Sequence, residues 1–141
     1  MTQWLLDTGP LVAFFDRGDK YHDWAVRQWG RAPLPMVSCE AVITEAAYLL
    51  TQHAGMNASN VLELIKRNLI TVGMDLEENA EAVARLLERY ADQEMQLADA
   101  CLVRLSELKK NCRVFTLDQN DFRVYRRFDR QVIPLITPEA D

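Results

Sequence analysis

Four carboxylates stand where a folded chain could use them for chemistry. Asp7 ends the apolar run Trp4-Leu5-Leu6 and is followed at once by Thr8-Gly9-Pro10; Asp118 ends the stretch "CRVFTLD" in the same way. An acid just past a buried strand is costly to place unless something there needs it. In open parallel α/β sheets, ligands gather outside the carboxyl ends of the strands, so two strand-end acids point to one edge of a domain. Each alone is equally what a turn or a helix cap calls for. Two helix-borne acids join them. Glu45 lies in the apolar text "AVITEAAYLL", either on a thin polar stripe or facing inward. Asp99 falls in the first turn of "QLADACLVRLSE", where an acid complements the helix dipole. Its neighbours Ala98 and Ala100 also leave room for close approach.

Four carboxylates brought to one pocket repel each other and raise one another's pKa values. A divalent cation relieves that repulsion. All-oxygen ligation suits Mg²⁺ or Mn²⁺, and without a Cys/His cluster zinc is disfavoured. Such an ion activates water and clamps phosphoryl oxygens, which is the chemistry of phosphodiester hydrolysis. The residues alone carry the reading as far as a candidate acidic metal site, because convergence is a property of the fold. His22 reads as a surface residue and His53 as a helix-end one. Neither has a serine or cysteine partner at a suggestive spacing, so nucleophilic catalysis has no support.

The elements that must position these acids are legible in outline. Trp4 to Leu6 reads as a buried strand, with Pro10 suited to the first turn of a following helix. "GDKYHDWAVRQWG" has helical spacing along Tyr21, Trp24 or Ala25, and Gln28 or Trp29. A strand is expected near Met36 to Ser38, with Ser38 as cap of a helix whose stripe is Val42, Ala46, Leu49 and His53. Another helix starts at Asn57 or Ser59. "NLITVGM" is a further strand. "EENAEAVARLLERYAD" is an amphipathic helix with Ala80, Val83, Leu87 and Tyr90 inward. The helix holding Asp99 turns Leu97, Cys101, Leu105 and Leu108 to the core. "CRVFTLD" and "RQVIPLI" complete the strands, and "TPEAD" reads as a frayed tail. Short apolar strands alternating with helices indicate an α/β domain with a mostly parallel central sheet.

Bulk properties narrow the class. The 141 residues fit one domain, 1–141, and 49% hydrophobic content supports an ordered core. The N-terminus lacks a basic region, Asp7 interrupts the first apolar run, and no stretch approaches the roughly 20 apolar residues of a membrane span. Cys39, Cys101 and Cys112 form no C-x-x-C pair and read as small buried hydrophobes of a reduced, cytoplasmic protein. The net charge of −5 does not advertise nucleic-acid binding. Its distribution says more. From Arg104 to Arg130 lie Arg104, Lys109, Lys110, Arg113, Arg123, Arg126, Arg127 and Arg130, eight of the 16 basic residues. That stretch is either a solvated surface or a phosphate-facing patch, with Arg126 and Arg127 as its test.

"LLDTGPLVAFF", "SCEAVITEAAYLL", "MQLADACLVRLSE" and "VFTLDQNDF" occur in the order and spacing of the PIN domain, and the chain resembles that family from about residue 3 to 136. It looks most like the VapC-type toxins (PilT N-terminal-like). The resemblance implies a three-layer α/β/α PIN-like fold with a mostly parallel central sheet. It also implies a metal-dependent endoribonuclease that hydrolyses RNA by in-line attack of water, as the toxin of a toxin–antitoxin pair. Residue by residue, it makes Asp7, Glu45, Asp99 and Asp118 the catalytic, metal-binding set for Mg²⁺ or Mn²⁺, with Glu45 a ligand or the group positioning the water. Asp121, beside Phe122, becomes an accessory acid, and Thr116 and Thr8 small polar helpers beside Asp118 and Asp7. The implied partners are an RNA substrate, a small antitoxin protein threading the groove, and a second copy in a homodimer; the aromatic side of Tyr21, Trp24 and Trp29 is a candidate partner surface or plain core. In one departure, Gln96 stands where many relatives carry a further acid, which bears on whether one ion or two are held.

Two other classes compete. A PIN-like interaction module without turnover keeps the fold, but the intact acids count against it. A receiver-like or dehalogenase-like phosphotransfer domain wants paired acids after the first strand or a strand-end lysine, and "DTGPLV" supplies one acid only. A P-loop enzyme lacks its Gly-rich Lys-Ser/Thr run.

Overall fold

The computed structural model describes residues 1–138, so Glu139, Ala140 and Asp141 of the expected tail lie outside the described residues. The chain runs β1 (Gln3–Leu6), α1 (Thr8–Phe15), α2 (His22–Trp29), β2 (Met36–Ser38), α3 (Glu40–Ala54), α4 (Ser59–Lys66) and β3 (Ile70–Val72). It continues through α5 (Leu76–Arg89), α6 (Leu97–Leu108), β4 (Cys112–Phe115), α7 (Gln119–Val124), β5 (Arg126–Arg127), β6 (Gln131–Val132) and β7 (Leu135–Ile136). Five strands form one sheet in the order β3-β2-β1-β4-β7, every neighbouring pair parallel. Strands of such a sheet are covered on both faces and therefore read as continuous apolar runs. Leu5, Leu6, Val114 and Phe115 accordingly have no exposed surface.

The two faces can be told apart by their side chains. Trp4 and Phe115 turn to one face, where Phe115 meets the Trp24 ring of α2 at 5.4 Å. Leu5 and Val37, paired in register, turn to the other, toward α6; a Cβ added at Gly73 would meet both Val37 and Leu105. Helices thus flank the sheet on both sides, as the α/β/α expectation has it. Sequence order reverses between β1 and β4, which lie side by side at the centre. That switch point is where an open sheet leaves a crevice beyond its carboxyl edge.

Several local expectations need correction. In α5 the buried stripe is Asn79, Val83, Leu86 and Tyr90, whereas Ala80 is exposed and Leu87 half-buried. In α6 it is Ala98, Cys101, Leu102 and Leu105, while Leu97 and Leu108 face solvent. In α3, Leu50 rather than Leu49 is buried, and His53 is exposed. A helix with several apolar residues in each turn does not announce which stripe will meet the sheet; packing chooses it. Ser38 does not cap α3. Its hydroxyl donates to the Leu6 carbonyl at 2.8 Å, and Cys39 occupies the cap position. His22 is half-buried and its Nδ1 lies 2.7 Å from the Ala13 carbonyl, joining α1 to α2. "RQVIPLI" is two strands: β6 pairs antiparallel with β5 in a hairpin, and β7 joins the main sheet beside β4. Pro134 stands between them and has no N–H with which to continue a ladder. All three cysteines are free and buried.

The basic C-terminal stretch also resolves into individual roles. Arg127 is buried, 5% exposed, and its guanidinium donates to the carbonyls of Ser106 and Lys110 at the C-terminal end of α6. Arg126 donates to the carbonyls of Arg123, Val124 and Tyr125, closing α7. Arg104 donates to Asn79 and pairs with Glu107. These arginines satisfy the orphan carbonyls of helix ends and neighbouring side chains, so they do not form the phosphate-facing patch entertained above. Replacing Arg127 with Ala strands those buried carbonyls and should lower unfolding free energy by about 2 kcal/mol or more. Arg123→Ala, at an exposed position, should change it by less than about 0.5 kcal/mol; urea unfolding of both variants checks the contrast.

Candidate active site

The site is built outward from the paired ends of β1 and β4. Leu6 and Phe115 are register partners, and the Asp7 N–H donates to the Phe115 carbonyl at 3.0 Å, so Asp7 and Thr116 leave the sheet side by side. Asp7 is also the N-cap of α1: its Oδ1 accepts from the Thr8 N–H at 2.7 Å, near the positive end of that helix. Its other oxygen, Oδ2, accepts from the Thr116 hydroxyl at 2.6 Å. The same hydroxyl accepts from the Asp118 N–H at 2.9 Å, so one fully buried threonine ties the first acid to the loop bearing the last. Asp118 in turn caps α7, accepting from the Asp121 N–H at 3.2 Å. Gly9 lets these two chain segments approach closely: a Cβ there would press on the Leu117 side chain at 3.0 Å.

The helices contribute the remaining acids. Glu45 is exposed on α3, and its Oε2 accepts from the Thr8 hydroxyl at 3.3 Å. Asp99 lies in the first turn of α6, where Oδ2 accepts the Gln96 N–H and the Tyr125 hydroxyl, each at 3.3 Å. Gln96 is the N-cap of α6 and its side chain donates to the Glu94 carbonyl, a structural task at the position where an extra acid was looked for.

Asp7, Glu45, Glu94, Asp99, Asp118 and Asp121 all line one cavity of about 310 Å³, together with Thr8 and Gln96. Thr116 sits beneath it. Its lining includes no Lys, Arg or His among the described residues. The structure therefore brings the four principal acids and Asp121 to one place. It does not bring any three to ligating separation: among the described residues no group of three Asp, Glu, His or Cys side chains could share an ion in this arrangement. Two contributors escaped the sequence reading. Glu94 enters through a left-handed backbone (φ 54°) that turns the chain after α5. Tyr125 is fully buried with its hydroxyl on Asp99, and only the proximity of "NDFRVY" to Asp118 hinted at it.

Electrostatics follow from this crowding. Burial pushes the Asp7 carboxyl up to about 7; its hydrogen bonds to Thr116 and Thr8 oppose the rise, and the charges of Asp99 and Glu45 add to it. Burial likewise raises Asp99, with Asp118 contributing repulsion. Asp121 is pushed up to about 6, chiefly by desolvation and then by its hydrogen bond and repulsion with Asp118. Tyr125 is held above its ordinary range by burial and the neighbouring acids, so it is a hydrogen-bond donor at neutral pH. An all-oxygen, uncompensated acidic cavity fits a hard divalent cation, for which Asp7, Glu45, Asp99 and Asp118 are the candidate ligands.

The comparisons with known proteins agree with this architecture. The PIN domain family model matches residues 4–127, and the chain belongs to that family. Ribonuclease VapC26 of Mycobacterium tuberculosis (strain ATCC 25618 / H37Rv) is 26% identical over 126 residues, covering 86% of this chain and 91% of that protein. The crystal structure of Mycobacterium tuberculosis VapC20, described as a Sarcin-Ricin loop cleaving toxin, superposes with a TM-score of 0.74 at 21% identity. That match covers 94% of this chain and all of VapC20.

The raised Asp7 pKa has a definite consequence for metal-free protein. The unfolded carboxyl titrates near 4 and the folded one near 7, so between those values the native state binds the extra proton. The contribution of Asp7 to stability is therefore fully present below about pH 4 and is lost as pH rises through about 7, by up to the order of 4 kcal/mol. Asp7→Asn removes this slope: in EDTA it should melt higher than wild type at pH 8 and nearly level with it at pH 4. Thermal melts across that range decide the matter. Thr116→Val breaks both of its links and should lower stability by about 2 kcal/mol, whereas Thr116→Ser should retain most of it.

Proposed function

We propose that this protein is a metal-dependent endoribonuclease acting as the toxin of a VapBC-type toxin–antitoxin pair. The observation that carries the reading is the cavity at the β1/β4 switch point, lined by six carboxylates and by no basic side chain among the described residues. Membership of the PIN family and the likeness to ribonuclease VapC26 support the substrate class.

A divalent cation, Mg²⁺ or Mn²⁺, supplies Lewis acidity toward water and phosphoryl oxygen when bound. The chain's own groups divide the remaining work. Asp7, Asp99 and Asp118 would hold the cation, and Glu45, beside Thr8, would orient the attacking water or add a ligand. Thr116 fixes the Asp7 carboxylate and the Asp118 backbone together, so that the two acids keep their spacing as they ionise. Thr8 steadies Glu45 from the first turn of α1. Asp121 shares charge with Asp118 and, titrating near 6, can exchange a proton near neutrality. Tyr125 holds Asp99 in the rotamer that faces the cavity. The cytoplasm, a small antitoxin laid across the cavity mouth and a homodimer complete the proposal. Among the described residues no helix is long and apolar enough to cross a membrane.

Purified protein given RNA should cleave it with Mn²⁺ or Mg²⁺ and stop in EDTA. Asp99→Asn should lower the cleavage rate by about a hundredfold or more while leaving the fold intact by circular dichroism. Metal-independent cleavage, or full activity in Asp99→Asn, would overturn the assignment. Measurable metal binding without turnover on any RNA would favour the interaction-module reading instead.

A further inference from the structure

A polyanion approaching the proposed site meets an obstacle: six acids line the cavity and the chain carries a net charge of −5. Attraction for a phosphate backbone must come from a basic surface elsewhere. Within the basic run near the C-terminus, Arg126 and Arg127 are spent on backbone carbonyls and Arg104 on Glu107, so these three do not supply it. The cavity between α5, α6 and the β5–β6 turn is less suited: Arg89 and Arg104 there are paired with Asp129 and Glu107, and its third arginine, Arg85, shares the lining with those two acids and Glu88.

A different surface remains. An open groove of about 850 Å³ runs between α2 and the edge strand β7, and three arginines line it: Arg27, Arg31 and Arg113. They come from the last turn of α2, the loop after it and strand β4, and all three side chains are exposed. None forms an ion pair among the described residues, and no described carboxylate lines the groove. Arg113 uses one nitrogen on the Leu135 carbonyl at 3.1 Å, which holds its guanidinium at the groove edge. The half-buried rings of Tyr21 and Trp24 line the same groove; Trp24 is braced against Phe115, and the Lys20 ammonium lies over the Tyr21 ring, 5.0 Å from its centre, adding a fourth cation beside them. Guanidinium groups flanking braced aromatic rings form the combination that binds single-stranded nucleic acid: cations take the phosphates and rings stack under bases.

We infer that this groove is a second RNA-binding surface, separate from the acidic cavity, which anchors the single-stranded backbone of the substrate while the acids act on it. The inference rests on the ribonuclease reading for the identity of its ligand. An acidic peptide is the competing occupant, but an acidic side chain offers the Tyr21 and Trp24 rings no flat base to stack on.

The test is fluorescence polarisation with a labelled 12-nucleotide single-stranded RNA, titrated at stepped salt in EDTA so that nothing is cleaved. The triple variant Arg27→Gln, Arg31→Gln, Arg113→Gln should bind about 30-fold more weakly or worse. Its slope of log affinity against log salt should be shallower by about 2, for three lost contacts to a single strand. Trp24→Ala should lose about tenfold with the slope unchanged. If Trp24→Ala misfolds, the exposed arginine variant still decides, provided its melting temperature matches wild type. RNA affinity and slope indifferent to the three arginines would overturn the inference, as would wild-type protein that binds no RNA. So would a poly-glutamate peptide that displaces RNA and shows the same arginine dependence. Cleavage is scored separately with Mn²⁺: its absence alongside arginine-dependent binding counts against the nuclease and not against the groove.

Discussion

The rest of this structure turns on a carboxylate held where the sheet ends. Asp7 is 7% exposed, and its two oxygens are taken by the Thr8 N–H and the Thr116 hydroxyl. Burying a charge is unfavourable unless it is paired, and no cation is paired with it among the described residues. What the chain supplies in place of a counter-ion is a helix N-terminus and a short hydroxyl bond, enough to fix the group and not enough to keep it ionised below neutrality. The other acids extend the same imbalance to Asp99 and Asp121. Concentrating like charge this way is unfavourable, and the proposed divalent cation would relieve it.

The imbalance also explains how rigid and soft parts are distributed. The strand ends and Thr116 are buried and cross-linked by hydrogen bonds, so Asp7 and Asp118 share one stiff base. Glu45 stands exposed on α3, joined to that base only through a 3.3 Å contact with Thr8. Asp99 is shared between its own helix cap and Tyr125. Among the described residues the carboxylates are gathered in one cavity without any three at ligating separation.

The positive charge is arranged with the opposite logic. The arginines that look like a patch in the linear chain are used inside the fold, where planar guanidinium groups satisfy several carbonyls at helix ends. The arginines left in solvent around Trp24 come from positions more than 80 residues apart, Arg27 and Arg113. Charge density along a sequence is a poor guide to charge density on a surface.

Strand cores, helix content, the parallel α/β class and the strand-end acids were all decided by the sequence itself. Apolar runs closed by an acid and a turn leave little choice of conformation, and short motifs in order limit the family. Burial stripes on α5 and α6 were not decided there, since an alanine- and leucine-rich helix offers several apolar faces and only contact with the sheet selects one. The same holds for Ser38, drawn away from its helix to the Leu6 carbonyl, and for the segment split at Pro134. The register of β1 on β4 was also beyond the sequence. That register sets Asp7 beside Thr116, and the packing of helices on the sheet brings Tyr125 onto Asp99 and gathers Arg27, Arg31 and Arg113; such contacts join residues whose separation along the chain carries no signal of their meeting.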